Sequence, residues 1–334
     1  MSVVFRENLG RLQGARTATT MGTKTDRNRS RALSSAEMVL AKAREMAARQ
    51  RPVVAVAGAE DADVLRAVGE AHREGIVDAL LVGDGEKIKR LLAELQLDAQ
   101  SFQIESTHEP NDSATIAVRA CAEGRAHILM KGKLPTPVLL KAVLAPTSGL
   151  RLGQTLSHCA VLDVPGYDRL LTITDGGVLV APNFEQKLAI IQNAVWVCRV
   201  LGIDEPRIAL LGVADEVNLD YPATVEATAV AQEVRARGIA EFTEGPLTFG
   251  SALRGLPLDS PRQSEVAGKA DVLVSNNIEE CNIAAKALIN LRGAVFMGVI
   301  AGAKVPLSLV SRSDPPRNKL ASLALASLFA GGAS

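Results

Sequence analysis

Short apolar runs alternate with longer amphipathic segments along most of the chain. The runs 52–57, 77–82 and 127–130 are rich in Val, Ile, Leu and Ala, and a glycine or a lysine follows each one. Continuous apolar runs of this length are typical of parallel strands that are buried on both faces. The segments between the runs carry helix start signals. The alternation therefore predicts right-handed strand–helix–strand units around a mostly parallel sheet, which is an α/β fold.

Polar residues at helix starts support this pattern. Residues 34–37 have capping-box spacing, 111–113 resemble a helix cap, and Asn183 precedes Gln186 by three residues. In the third of these helices the apolar residues form one stripe: Phe184, Leu188, Ile191, Val195 and Cys198. Trp196 lies off the stripe and predicts a second packing surface, such as a subunit contact.

The chain beyond residue 150 departs from simple alternation. The runs 160–164 and 170–174 are joined by Pro-Gly-Tyr-Asp and predict a hairpin, whereas 241–250 predicts an irregular segment. Other apolar runs predict strands at 207–213, 270–274, 295–300 and 307–310.

The order of these elements predicts two α/β domains with a cleft between them. The first domain would comprise 35–150 together with 306–334, and the second 151–305. Residues 1–34 are polar, carry several arginines and predict a disordered tail. At 334 residues the chain is long enough for two such domains.

Composition excludes several classes of function. Lys plus Arg and Asp plus Glu both number 37, so the net charge is zero, and nucleic-acid binding by a basic surface is disfavoured. The four cysteines and four histidines form no metal-ligand spacing, so the sequence predicts no metal site. Scattered cysteines and no apolar run that could span a bilayer predict a cytoplasmic protein without membrane contact.

A cluster of polar side chains follows the last predicted strand. Ser311, Arg312 and Asp314 come where the apolar run 307–310 ends. In open α/β sheets, ligands bind outside the carboxyl ends of the strands, so a hydroxyl, a guanidinium and a carboxylate there predict an anion site with an acid–base group. The same residues also fit a plain helix start, with Asp314 as N-cap before Pro315.

A second candidate loop follows the run 127–130. Lys131, Gly132 and Lys133 precede Thr136 at the start of a helix, an arrangement that can hold a phosphate. The spacing differs from that of a Walker A loop, and two solvated lysines in a turn are the alternative. Two more predicted strands end in candidate contacts: Asp175, Gly176, Asn276 and Asn277. Loops of this kind usually converge in a cleft between domains.

Longer motifs carry a family resemblance. They are LMKGKLPTPVLLKAVL at 129–144, GLRLGQTLSHCAVLDVPGY at 149–167, LLTITDGGVLVAPNFEQKLAIIQNA at 170–194, EGPLTFGSA at 244–252, ADVLVSNNIEECNIAAKAL at 270–288 and GVIAGAKVPLSLVSRSD at 298–314. In this order they resemble the phosphate acetyl/butyryltransferases, and the phosphate butyryltransferase branch more than the acetyltransferase branch. The likeness covers roughly residues 35–330.

The resemblance implies an architecture similar to that of isocitrate and isopropylmalate dehydrogenases. It implies exchange of an acyl group, acetyl to butyryl, between coenzyme A and inorganic phosphate, in a homo-oligomer built on a dimer and without a prosthetic group. Arg312 and Ser311 would hold phosphate and stabilise developing charge. Lys131, Gly132 and Thr136 would line the opposite side, and Asp314 would be the base or would orient Arg312.

Departures from the family pattern leave two alternatives open. Glu244 and Gly250 stand where that branch usually has aspartates, Pro315 follows the SRxD motif, and Asn276 lies where a Pro-Asp pair is common. These changes allow a non-catalytic or weakly active homologue that binds coenzyme A or an acyl phosphate. An NAD-dependent dehydrogenase of the same architecture would need an aspartate trio or a histidine pair in the cleft, and the sequence shows neither.

Overall fold

A computed structural model describes residues 32–257, 260–310 and 314–330. Within these residues the chain forms eleven strands and ten α-helices. The strands are β1 (Val53–Ala57), β2 (Asp78–Gly83), β3 (Gln103–Ser106), β4 (Ile128–Lys131), β5 (Ser157–Asp163), β6 (Leu170–Thr174), β7 (Ile208–Leu211), β8 (Thr243–Leu247), β9 (Val272–Val274), β10 (Val295–Ala301) and β11 (Leu307–Ser308).

The helices alternate with the strands through most of the chain, and a single 3₁₀ turn (Ala99–Ser101) precedes β3. They are α1 (Ala36–Ala47), α2 (Ala62–Arg73), α3 (Gly85–Glu94), α4 (Pro110–Ala122), α5 (Thr136–Leu144), α6 (Phe184–Val200), α7 (Pro222–Ala236), α8 (Phe249–Arg254), α9 (Ile278–Arg292) and α10 (Pro316–Ala330). The alternation confirms the predicted α/β class.

All eleven strands join one sheet in the order β3-β2-β1-β4-β11-β10-β5-β6-β9-β7-β8. The outer pairs are parallel, as expected for strand–helix–strand units. The three central junctions, β11–β10, β10–β5 and β5–β6, are antiparallel. The last of these is the predicted hairpin, which is confirmed.

The sheet runs through both predicted domains, because β10 of the second predicted domain pairs with β11 of the first. The division into 35–150 plus 306–334 and 151–305 stays a prediction. Residues 1–31 lie outside the described part of the chain, so most of the predicted tail does too. Leu33, in the last part of that tail, donates its N–H to Leu201 O at 2.9 Å.

Local signals identified most helix starts. The Asn183 side chain accepts from Gln186 N at 3.0 Å while Gln186 Oε1 accepts from Asn183 N at 2.9 Å, so the predicted capping box is confirmed. The predicted cap at 111–113 is wrong: α4 begins at Pro110 after Glu109, which makes no side-chain cap bond. Pro110, in the first turn, has no backbone N–H, so the start of this helix has one fewer N–H group for a cap to satisfy.

Two further predictions differ from the structure. Strand β3 was not predicted, because its pattern of exposed and half-buried residues has no continuous apolar run. The segment 241–250 was predicted as irregular, but it contains β8 and the start of α8. Glycine and proline within 244–250 hide the strand from pattern recognition, although both are tolerated at bulges and irregular pairings.

Helix α10 is buried on nearly every side and lies against β10, α1 and α2. Strand β11 pairs with only two residues of β10, and side chains of α10 bind the backbone of β10 beyond that point. Ser322 Oγ accepts from Gly298 N at 2.9 Å, and Asn318 Oδ1 accepts from Phe296 N at 3.3 Å. These bonds fix the helix that follows Asp314 against the middle of the sheet.

Candidate active site

A cavity of about 490 Å³ opens where the central strands meet α9. Most of its lining residues form two walls and a floor. The strand-end wall contains Lys131, Thr136, Gly176, Gly177 and Asp314. The helix wall contains Ile278, Cys281, Asn282, Ala285, Lys286 and Ile289. The floor contains His158, Ala160 and Phe296, from β5 and β10, and Leu309 and Val310 complete the lining.

The β4–α5 turn brings Lys131 and Thr136 to the cavity. Lys131 is 7% exposed, and its ammonium donates to Gly132 O at 3.2 Å and Leu134 O at 3.4 Å. A buried cation held by carbonyl oxygens keeps its charge available to an anion. Gly132 permits this turn, because a Cβ there would lie 2.1 Å from Gly58 O. Lys133 is exposed and does not line the cavity.

The turn after β6 is organised by Asp175, which is 2% exposed. Its carboxylate accepts from the N–H groups of Gly177, Val178 and Leu179 at 2.8, 3.0 and 3.1 Å. Burial raises the pKa of the Asp175 carboxyl, and these backbone donors oppose the rise. The residue therefore shapes the wall while Gly176 and Gly177 face the cavity.

Helix α9 presents one face to the cavity. Its lining residues are spaced at three and four along the chain, from Ile278 to Ile289. Lys286 is the charged member of this face, and its Nζ lies 2.8 Å from Asp314 Oδ1. The Asp314 carboxyl is 5% exposed, and Lys319 of α10 donates to its backbone carbonyl. Asp314 is thus held by the helix wall as well as by its own segment.

Asn276 and Asn277 lie at the start of α9 and outside the cavity lining. The Asn277 side chain accepts from Glu280 N at 2.9 Å, as an N-cap. Asn276 Nδ2 donates to Glu280 Oε2 at 3.0 Å and to Leu211 O at 3.3 Å. Both amides are engaged in orienting the helix that carries Lys286. Their predicted contact with substrate stays a prediction.

The floor contains an unexpected histidine. His158 is 5% exposed, stacks on Phe296 with ring centroids 6.0 Å apart, and lies close to Gly177. Burial lowers the pKa of His158 to about 4; the negative charge of Asp314 opposes this shift and the positive charge of Lys286 adds to it. The imidazole is therefore neutral at pH 7.

The cavity also contains a thiol that cannot easily ionise. Burial, followed by the charge of Asp175, raises the pKa of the Cys281 thiol well above its ordinary value. Because the thiolate is the nucleophilic form of cysteine, Cys281 is a poor candidate for a covalent acyl intermediate.

Sequence reasoning identified the strand-end wall and missed most of the rest. Lys131, Thr136, Gly176 and Asp314 are brought together as predicted, whereas Ser311 and Arg312 lie outside the described residues. The missed residues are His158, Phe296 and the helix wall. The three-and-four spacing between Ile278 and Ile289, with Lys286 inside it, was a readable signal.

The departures at Glu244 and Gly250 lie away from the cavity lining. Glu244 accepts from Ser264 Oγ at 2.7 Å, Glu265 N at 2.9 Å and Arg262 Nη2 at 3.1 Å, which ties β8 to the segment before β9. Gly250 lies in the short helix α8. Neither change removes a carboxylate from the cavity lining as the described residues form it.

Over 32–257, 260–310 and 314–330, no cluster of three or more His, Cys, Asp or Glu residues could hold a metal ion. Over the same ranges, no helix is long and apolar enough to cross a bilayer. The absence of a prosthetic group stays a prediction.

Comparison with known proteins assigns the family. The family model described as "Phosphate acetyl/butaryl transferase" matches residues 37–118 and 102–327. The chain belongs to this family. It is 42% identical over 277 residues to the "Probable phosphate butyryltransferase" of Bacillus subtilis strain 168, a match that covers 82% of this chain and 91% of that protein. This phosphate acyltransferase is therefore an enzyme, and the predicted family is confirmed.

Solved structures agree with the assignment. The branched-chain phosphotransacylase from Enterococcus faecalis V583 superposes with a TM-score of 0.75 at 29% identity, over 84% of this chain and 99% of the other. A 4-hydroxythreonine-4-phosphate dehydrogenase from Klebsiella pneumoniae gives 0.57 at 15% identity, over 84% of this chain and 100% of the other, a likeness of fold alone. The predicted dehydrogenase-like architecture of this phosphate acyltransferase is confirmed, and a non-catalytic role is not favoured.

Proposed function

We propose that the enzyme exchanges an acyl group between coenzyme A and inorganic phosphate, according to acyl-CoA + phosphate = acyl phosphate + CoA. The observation that carries the proposal is the composition of one cavity. Buried charges at Lys131 and Asp314 and the half-buried ammonium of Lys286 stand beside the apolar residues Ile278 and Ile289. A phosphate needs the first group of residues, and an aliphatic acyl chain is suited to the second.

In the proposed step, a phosphate oxygen attacks the thioester carbonyl carbon. The C=O electron pair moves to the carbonyl oxygen, a C–O bond to phosphate forms, and collapse of the tetrahedral intermediate breaks the C–S bond. The proton of the attacking hydrogen phosphate ends on the coenzyme A thiolate. We assign Asp314 to carry that proton, because its buried carboxylate lines the cavity.

The remaining roles divide between charge and position. Lys131 and Lys286 would gather the phosphate charge, and Thr136 at the start of α5 would add a hydroxyl. Arg312 and Ser311 keep the roles that the family resemblance implies, which are phosphate binding and stabilisation of developing charge. Asp175 and Gly176 would shape the cavity. Gly132 would permit the turn, and Lys133, Asn276 and Asn277 would contact more distant parts of coenzyme A.

The acyl group is the finer part of the proposal. The helix wall offers Ile278, Ala285 and Ile289 to an aliphatic chain. Apolar lining of this extent suits chains longer than acetyl, because each buried methylene contributes about 0.8 kcal/mol. We therefore propose a range from acetyl to butyryl, with the longer chains preferred.

Assembly and location complete the proposal. We propose a homo-oligomer built on a dimer, without a prosthetic group, that acts in the cytoplasm and contacts neither nucleic acid nor membrane. The free thiols of Cys121, Cys159, Cys198 and Cys281 support a reducing compartment. Light scattering at several protein concentrations would test the assembly.

The deciding experiment follows free-thiol release from acetyl-, propionyl-, butyryl- and isobutyryl-CoA, with and without phosphate. Phosphate-dependent release, together with an acyl phosphate that hydroxylamine traps, is the expected result. Arsenate in place of phosphate gives continuous release and serves as the control for transfer. Binding of coenzyme A without thiol release from any thioester would contradict the proposal.

A further inference from the structure

His158 places a polar ring in the floor of the cavity. Its Nδ1 is inaccessible to solvent and unpaired within the described part of the chain. Buried polar atoms are almost always paired, because an unsatisfied buried donor or acceptor costs about 1–3 kcal/mol. Because Nδ1 is enclosed and unpaired, Nε2 is the ring nitrogen through which His158 can bind a ligand.

The orientation of the ring indicates which atom is available. A Cβ placed on Gly177 would lie 3.5 Å from Nδ1, so this nitrogen is turned towards the turn after β6. His158 nevertheless lines the cavity. Since Nδ1 is hidden, the ring edge that carries Nε2 is the one that reaches the cavity. In a neutral imidazole with an unprotonated Nδ1, Nε2 is the donor.

The ring of His158 lies between charged and apolar residues. Lys286 and Asp314 are close enough for their charges to act on His158, and Ala160 is on the same face of β5 two residues later. Phe296 stacks on the ring and holds its plane. The floor is thus polar on the side of the charges and apolar on the side of Ala160. A thioester carbonyl has the same two sides: phosphate approaches one, and the alkyl chain extends from the other.

We propose that His158 is a catalytic residue whose Nε2–H donates a hydrogen bond to the carbonyl oxygen of the acyl group. The inference rests on the proposed acyl transfer and deepens it. In the step described above, the C=O electron pair moves onto this oxygen, and the donor stabilises the charge that it acquires. The cations serve the phosphate, whereas a neutral donor is matched to a carbonyl that is neutral before the attack.

The neutral state of the ring is part of this role. With a pKa lowered to about 4, His158 stays uncharged across the physiological range and does not act as the general acid. Its donor strength is therefore constant with pH, and proton movement is left to Asp314. Loss of the donor should lower turnover by about 10²–10³-fold, the usual effect of deleting one donor to an oxyanion.

The test compares two amides of different length. His158→Gln can place its amide N–H near the position of Nε2, whereas His158→Asn reaches only the position of Nδ1. We expect kcat within about tenfold of wild type for H158Q and a loss of about 10²–10³-fold for H158N, with KM for acyl-CoA little changed. Equal kcat values in H158N and wild type would overturn the proposal.

Two controls separate this role from folding and from the proposed reaction. Cys159→Ala changes the next residue of β5, whose buried side chain is absent from the cavity lining, and it should lower stability but leave kcat intact. If wild-type enzyme releases no thiol with phosphate, the proposed function fails. If wild type is active and H158N is equally active, only the inference about His158 fails.

A spectroscopic measurement decides the case in which the variants do not fold. Acyl-CoA labelled with ¹³C at the carbonyl is bound to wild-type enzyme without phosphate, and its C=O stretch is recorded by difference infrared spectroscopy. A hydrogen bond from His158 shifts the band to lower frequency than in an apolar solvent. A band in wild type at the frequency found in an apolar solvent would overturn the proposal.

Discussion

The strand-end wall and the helix wall face each other across one cavity and differ in how they are built. Lys131 ends strand β4, and Gly176 and Asp314 lie beyond the ends of β6 and β11. The helix wall is a single face of α9, repeated from Ile278 to Ile289. The first wall mainly supplies charge, and the second mainly supplies apolar surface with one ammonium group, Lys286.

This difference has a chemical consequence. Charges that gather phosphate have to be held by carbonyls and turns, because a buried cation needs partners that stay fixed. An acyl pocket needs only volume and apolar contact, and these can change by one side chain without disturbing a strand end. We therefore expect reaction type to depend on the strand-end wall and substrate preference on the helix wall.

The largest effect is expected from replacing Asp314, which belongs to the strand-end wall. Replacing Asp314 by Asn removes the proton carrier, and we expect kcat to fall by about 10²–10³-fold with the fold intact. The measurement is steady-state thiol release, with circular dichroism and thermal unfolding for the fold.

The control for Asp314 is its partner at 2.8 Å, Lys286. Lys286→Gln should weaken phosphate binding and have a smaller effect on kcat. If Asp314 only positions Lys286, then D314N, K286Q and the double variant would lose activity equally. A lower melting temperature with unchanged kcat would show that the role of Asp314 is structural.

His158, in the floor of the cavity, allows the electrostatic environment between the walls to be tested through the pH dependence of stability. The pKa of His158 is depressed to about 4 from an ordinary 6.5, so the folded state favours the neutral ring. Above pH 6.5 the ring is neutral in the folded and the unfolded state, and the stabilisation is complete. As the pH falls from 6.5 towards 4, the unfolded state binds a proton first, so the free energy of unfolding falls by up to about 3 kcal/mol. Urea unfolding at pH 7, 5.5 and 4 measures it. H158Q should lose less stability over this range, and equal losses would contradict the assignment.

The helix wall should set acyl-chain preference. Ala285 is 6% exposed and faces the cavity, so Ala285→Leu fills space that a longer chain would occupy. We expect the ratio of kcat/KM for butyryl-CoA to that for acetyl-CoA to fall by about 10–100-fold. Leu291→Ala, at an exposed position of the same helix, should leave the ratio unchanged and serves as the control. An unchanged ratio in A285L would place the acyl chain elsewhere.

The smallest predicted effect concerns the contact between the two walls. A Cβ on Gly176 would lie 2.7 Å from Cys281 Sγ, so Gly176→Ala should lower the free energy of unfolding by about 1–2 kcal/mol. Combining it with Cys281→Ala removes the sulfur and should recover part of the loss. Chemical denaturation of both single variants and the double variant measures the coupling. Additive losses in the free energy of unfolding would show that there is no steric coupling between the walls at this contact.

Several parts of the fold and site followed from the sequence because their signals are local. Capping at Asn183 and the apolar run before Lys131 depend on neighbours in the chain, and both were predicted correctly. Lys131 and Asp314 could also be placed together, because the ends of parallel strands share one edge of a sheet.

What the sequence did not reveal depends on contacts between distant segments. His158 lies within an apolar strand, and nothing local distinguishes a core histidine from one that faces a cavity. Lys286 matters because α9 turns one face towards Asp314, and Asn276 and Asn277 look like strand-end ligands although their amides orient that helix. Side-chain direction in these cases is set by tertiary packing.

The ring contact at the end of α10 provides an intrinsic fluorescence probe of the enzyme. Trp196 is the single tryptophan of the chain, and its ring meets Phe329 edge-on with centroids 4.7 Å apart. Phe329 belongs to the helix that begins two residues after Asp314. Fluorescence emission, with no added label, therefore follows the packing of this helix while substrates bind at its other end.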